Sequence, residues 1–295
     1  MQKSHNNLDH RRSEKSLKIL FIQPYFTFPG VISDTLPGYL ARRGHTVEAV
    51  GYIRDEKKIP LFSKEENIHI HFINAVSISI PNFVTEFPYF LYLEDIIKQI
   101  KPDIIHINNL PFLTTLQSTQ IAKKMGIPSI VHVHGVIRKS NILLDFAQYL
   151  YIKTMGYSVF RDATFLICLT ESDAKEIQIC GCPSEKIRII PNGVDIKKFK
   201  PCDEVIDNLI FWGGRFIQQK GLEYLIKAFY LVVKKKTAVK LMMTRDGPLF
   251  SKINKMVQHL GLKKNVIFKG RVPRSEMPQL ISAASIYVLP SLKEG

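Results

Sequence analysis

The chain has 295 residues, enough for about two domains that each bury a core, which excludes a single small module. Hydrophobic residues make up 45% and charged residues 23%, a balance too apolar for a disordered chain. Lys and Arg number 41 against 26 Asp and Glu, and the net charge of +15 favours anionic partners: phosphorylated small molecules, acidic lipid surfaces or nucleic acid.

Residues 1–16 are polar and read as a disordered tail without a secretory leader. Short β-branched runs then alternate with amphipathic stretches, the order of a parallel sheet covered by helices. Strands are expected at 18–23, 46–51, 68–72, 103–107, 128–134, 164–169 and 187–190, with helical patterns at 31–43, 88–100, 113–125, 142–161 and 171–179. These form one Rossmann-like domain, assigned to 17–200. A Pro, Gly and charge-rich linker follows around 196–207. A second αβ series, assigned to 201–295, has strands expected at 208–213, 239–243, 265–270 and 285–290 and helices near 219–235, 249–260 and 275–283. The stop at Gly295, directly after a strand, reads as an unfinished domain. The stretch Val76–Leu93 is the most lipid-like, but Pro81, Glu86 and Pro88 interrupt it, so no transmembrane span is expected.

Several chemistries are disfavoured by inspection. No two glycines lie two residues apart, so the dinucleotide fingerprint is absent, and no Gly-Lys precedes Ser or Thr as a P-loop requires. No Asp-x-Asp pair is present to hold a divalent cation on a diphosphate, so catalysis is expected to be metal-free, with no cofactor. Cys168, Cys180, Cys182 and Cys202 form no C-x-x-C pair and read as reduced thiols of a cytosolic protein.

What remains sits at the carboxyl ends of expected strands, where open α/β sheets bind ligands. The loop from Pro24 to Gly30 suits an anion at the following helix N-terminus, or is a plain Pro/Gly turn. His106 ends one strand and His132-Val133-His134-Gly135 the next; His132 and His134 share a face, as a metal pair or as imidazoles pointing into the crevice. Gly213-Gly214-Arg215-Phe216-Ile217-Gln218-Gln219-Lys220-Gly221 places two cations five residues apart beside a helix start, a diphosphate-sized site, or else a solvated Gly turn. Arg245-Asp246-Gly247-Pro248 and Gly270-Arg271-Val272-Pro273 are further βα turns. Lys234–Lys236 and Lys263-Lys264 read as solvated faces, without the interleaved aromatics of a nucleic-acid patch.

The order of VHVHG, IRIIPNGVD, GGRFIQQKG, RDGPL, FKGRVP and LPSLKEG resembles the two-domain GT-B retaining glycosyltransferases of family 4, over nearly the whole chain. The resemblance implies two Rossmann-like α/β domains facing across a cleft, the second incomplete. It implies metal-independent transfer from a nucleotide-sugar donor to a glycan, lipid-linked or small-molecule hydroxyl. Arg215 and Lys220 would hold the donor diphosphate, with Gly30 and Gly214 near the phosphates and Gly270, Arg271 and Val272 at the base. The catalytic residues would be His134, orienting sugar and acceptor, and Glu294, contacting sugar hydroxyls beside Gly295. Two departures stand out: Gly30 is followed by Val31 instead of a second glycine, and Arg245 replaces the glycine that opens the G-x-G-P turn. The chain also ends before the family's second glutamate. The alternative is a non-catalytic truncated GT-B protein that binds a nucleotide, polyanion or partner. The expected setting is cytoplasmic, with an anionic membrane surface as a possible partner and nucleic acid as an unfavoured one.

Overall fold

The computed structural model describes residues 15–25, 35–53, 67–79, 86–134, 146, 149–202 and 204–292. Most of the polar tail, the loop carrying Gly30, Gly135, and Glu294 with Gly295 lie outside the described residues. The chain divides into two compact units, one through Pro191 and one from Asn192, a boundary inside the mostly exposed, irregular stretch at 190–202.

The first unit contains β1 (Lys18–Tyr25), α1 (Leu36–Arg42), β2 (Thr46–Tyr52), β3 (Ile68–Phe72), β4 (Ala75–Ser79), β5 (Glu86–Phe90), α2 (Leu93–Ile100), β6 (Ile104–Asn108) and α3 (Leu113–Met125). Next come β7 (Ser129–Val133), a π-helical turn (Ile152–Gly156) leading into α4 (Tyr157–Asp162), β8 (Phe165–Cys168), α5 (Glu171–Ile179) and β9 (Ile187–Ile189). Seven strands form a parallel sheet in the order β3-β2-β1-β6-β7-β8-β9. Its inner strands are β-branched and buried on both faces, as covered parallel strands must be. One face packs Leu20, Ile22, Ile105 and Ile107 against Leu93, Ile97, Ala122, Val159, Phe160 and Ile177 from α2, α3, α4 and α5. The other face packs Ile19, Phe21, Val47 and Ala49 against Ala41 of α1. Helices on both faces make the sheet doubly wound.

Local chemistry sets several boundaries. Gly126 takes φ +68° and ends α3, a left-handed cap that glycine adopts without Cβ strain. Thr170 caps α5 by accepting from the Asp173 amide at 3.1 Å. Lys186 closes the end of α4, its ammonium donating to the carbonyls of Phe160, Arg161 and Ala163 at 2.7–2.9 Å. All four cysteines are free, and burial pushes the thiols of Cys168 and Cys182 up to about 12 and about 11.

Two expectations are corrected. The helix anticipated over 88–100 begins only at Leu93; residues 86–90 form β5, which pairs antiparallel with β4 as a separate hairpin (Val76 opposite Tyr89). The amide and carbonyl of Phe90 are both satisfied by the Gln117 side chain on α3, at 3.1 and 2.7 Å. That tertiary contact makes a strand of a segment whose local pattern suggested a helix. The helix expected over 142–161 contains a π turn where it is described, at Ile152–Gly156.

The second unit contains β10 (Ile206–Gly213), α6 (Leu222–Lys235), β11 (Lys240–Thr244), α7 (Phe250–His259), β12 (Val266–Gly270), α8 (Met277–Ser282) and β13 (Ala284–Tyr287). Its parallel sheet runs β12-β11-β10-β13 over a core of Trp212, Phe216, Leu225, Ile226, Leu241, Met243 and Ile253. Among the described residues no helix is long and apolar enough to cross a membrane.

Candidate functional site

The strand order of the second sheet reverses between β10 and β13, and open α/β sheets bind ligands at the carboxyl ends of strands flanking such a reversal. Four connections meet on that edge and are joined through their backbones. The Phe216 amide donates to the Asp246 carbonyl at 3.0 Å, and the Phe216 carbonyl accepts from the Leu249 amide at 2.9 Å. The Arg245 amide donates to the Gly270 carbonyl, and the Leu292 amide to the Gln219 carbonyl at 2.8 Å. Arg271 Nε donates to an Asp246 carboxylate oxygen at 3.0 Å.

Glycines permit this crowding. A Cβ on Gly214 would stand 2.9 Å from the Trp212 indole, and one on Gly247 would stand 2.7 Å from the Phe216 carbonyl oxygen. Phe216 is fully buried, edge-on to Trp212 at 5.2 Å and to Phe250 at 5.5 Å, so it anchors the loop. Arg215 is exposed between this anchor and Gly214. Lys220 is half-buried, one residue before Gly221, the cap of α6. Two cations and the amino end of a 14-residue helix thus share one loop on the edge, a combination that attracts phosphate charge.

Of the sequence-predicted residues, Gly214, Arg215, Lys220, Gly270, Arg271 and Val272 are brought together on this edge. Gly270 takes φ +72°, and a Cβ there would meet open space. The sequence reading missed Thr244 and Ser291, whose buried hydroxyls have no hydrogen-bond partner. Thr244 is fully buried at the end of β11, beside Gly213. Its position as the last residue of a strand, on the edge where open α/β sheets bind ligands, was the available signal.

In the first unit His134 follows β7 and belongs to a ladder of imidazoles. Its ring stacks on His132 at 4.1 Å, His132 meets His106 edge-on at 5.5 Å, and His106 lies 4.7 Å from Phe21. Burial, reinforced by the two neighbouring imidazoles, pushes His106 down to about 3; burial and His134 push His132 down to about 4. His134 is the outermost ring, yet desolvation lowers it too. The Nε2 atoms of His106 and His132 are buried without partners. Among the described residues no group of three or more His, Cys, Asp or Glu side chains is placed to hold a metal ion.

The family model described as Glycosyltransferase Family 4 matches residues 34–198, and the model described as Glycosyl transferases group 1 matches residues 196–295. The chain belongs to the family 4 glycosyltransferases. This family 4 chain is 26% identical over 249 residues to the UDP-Gal:alpha-D-GlcNAc-diphosphoundecaprenol alpha-1,3-galactosyltransferase of Escherichia coli, covering 78% of the chain and 62% of the relative. It is 25% identical over 307 residues to the alpha-monoglucosyldiacylglycerol synthase of Streptococcus pneumoniae, covering 93% of the chain and 66% of the relative. The chain therefore spans slightly less than two thirds of the length of these curated relatives. Anabaena HepE, solved in complex with UDP and glucose, has the same fold at a TM-score of 0.66 and 16% identity, with 93% of this chain and 74% of that chain covered. The fold is GT-B, two Rossmann-like α/β units.

Proposed function

We propose that this family 4 protein is a retaining, metal-independent glycosyltransferase that moves a sugar from a nucleotide-sugar donor to a hydroxyl acceptor. The observation that carries the reading is the loop 214–221, with two cations mounted on a buried aromatic anchor at the strand reversal of the second sheet. In this reading Arg215 and Lys220 grip the donor diphosphate and stabilise the negative charge that grows on it as the glycosidic bond breaks. Gly270, Arg271 and Val272 line the base, and Gly30 and Gly214 let backbone approach the phosphates. His134, a neutral imidazole able to donate and accept, orients sugar and acceptor, while Glu294 accepts from sugar hydroxyls. The acceptor hydroxyl attacks from the side on which the diphosphate leaves, so no protein nucleophile is required.

A nucleotide diphosphate-sugar is the donor class. Support for a glycan or lipid-linked acceptor comes from the relatives, whose names specify a diphosphoundecaprenol-linked sugar and a glucosyldiacylglycerol. Donor-dependent sugar release or transfer should fall on the order of a hundredfold in Arg215→Ala and in Lys220→Ala with the fold intact. Unchanged turnover in both variants would remove the diphosphate role. Donor binding without any turnover by the unaltered chain would favour the non-catalytic alternative.

A further inference from the structure

The ladder of imidazoles in the first unit contains two members that the proposed transfer does not use. His106 on β6 is 6% exposed and His132 on β7 is half-buried, and the Nε2 atom of each is buried without a partner among the described residues. A buried nitrogen left unpaired costs free energy that the flanking residue types, Ile105 and Ile107 on one strand and Val131 and Val133 on the other, do not incur. Two such positions side by side call for a use of the flat ring itself.

Register places the rings in a column. His106 pairs with Phe21 on β1 and Ile130 on β7, while His132 pairs with Asn108 on β6 and Ile167 on β8. Phe21, His106 and His132 therefore share the sheet face that carries α1, and His134 continues the column past the end of β7. The Asn108 side chain hydrogen-bonds His106. His106 stands edge-on to His132 with 76° between their planes, and His132 lies nearly parallel to His134, at 26°. Burial lowers the pKa of all three, so at neutral pH the stack joins uncharged rings without mutual repulsion.

His134 itself is exposed, and among the described residues no hydrogen bond or ion pair holds its side chain. The face of His132 is the support that sets its ring plane, and the ring plane fixes the directions in which both nitrogens point.

We propose that His132 is a positioning residue for glycosyl transfer: its ring, braced edge-on by His106, holds the plane of His134 so that the His134 nitrogens meet the sugar and the acceptor hydroxyl. The inference rests on the transferase reading and on the role given there to His134.

The test compares His132→Val, which suits a strand but offers no flat surface, with His132→Phe, which keeps a ring and discards the partnerless nitrogen. Nucleotide release by the full chain from a panel of UDP-, GDP- and dTDP-hexoses gives kcat and donor KM. His132→Val should lower kcat at least about tenfold with donor KM within about twofold of the parent, and His132→Phe should restore kcat to within about threefold. Circular dichroism with a melting curve confirms that both variants fold. The NMR shifts of the His134 ring protons read the stack without donor or turnover: the ring beneath displaces them in the parent and in His132→Phe, and the displacement should vanish in His132→Val. Three results would overturn the proposal: a folded His132→Val with parental kcat, a His132→Phe no better than His132→Val, or His134 shifts that are the same in all three proteins. Turnover that falls in Arg215→Ala but stays parental in His132→Val removes this inference alone, whereas a parent that releases no nucleotide from the panel removes the transferase reading together with it.

Discussion

The carbonyl oxygen of Pro290 lies 2.1 Å from the point where a Cβ on Gly221 would stand. Gly221 also takes φ +62°, so it is fixed twice, by its own backbone and by the segment that follows β13. Gly221→Ala should therefore push residues 288–292 away from the cationic loop. The expected cost is about 3 kcal/mol, combining left-handed strain with overpacking. Urea unfolding of the variant should show that loss, and donor affinity should fall with it. A variant as stable as the parent would mean the two loops are not held together as described.

Arg245 holds φ +76°, in the turn where the resemblance drawn from the sequence implies a glycine. An L-residue pays about 1–2 kcal/mol in that region, while glycine returns part of the gain through its freer unfolded chain. Arg245→Gly should stabilise the second unit by about 0.5–1 kcal/mol, read as a higher urea midpoint. A lower midpoint would mean that the Arg245 side chain does more than accept this strain.

His106 ties stability to pH. Its ordinary value is 6.5 and its folded value about 3, so below 6.5 the unfolded chain binds a proton that the folded chain refuses. The stabilisation is complete above about 6.5 and declines as pH falls toward 3, with a slope of at most about 1.4 kcal/mol per pH unit from this site. His106→Phe keeps a ring beside Phe21 and removes the proton. Between pH 6 and 5 its stability profile should be flatter by about one proton. A profile parallel to the parent's would show that His106 does not titrate this way.

Arg271 and Asp246 form an exposed pair, and exposed pairs contribute little to folding. Arg271→Ala should change unfolding free energy by less than about 1 kcal/mol while raising the donor KM. A large stability loss with unchanged KM would make Arg271 a structural residue only.

The alternation of strands and helices was legible because a covered parallel sheet writes itself as apolar runs separated by amphipathic ones. The expected spans for β3 and α3, 68–72 and 113–125, match the observed ones. The β4–β5 hairpin was not legible. Pro88 within β5 argues against a strand, and the partner that satisfies Phe90 is a glutamine 27 residues away. In the second unit the glycines and cations were visible as a motif. Their mutual fastening was not, because the bonds of Phe216 to Asp246 and of Leu292 to Gln219 run between backbones and leave no mark on residue identity. Thr244 escaped notice for a related reason: one threonine among βα turns is conspicuous only when its hydroxyl is found buried and unsatisfied.

β1 lies between β2 and β6, and its residues 19–22 pair with residues 104–107. The Lys18 amide meets the Asp103 carboxylate across 85 positions of sequence. During synthesis at about 5–20 residues per second, the nascent β1 waits roughly 4–17 s for that neighbour to leave the ribosome. Throughout that interval Leu20 and Ile22 lack the strand that seals one side of them, so the first unit exposes a sticky edge early in its life. A chaperone that recognises extended apolar segments would find its binding site there, at the start of the chain.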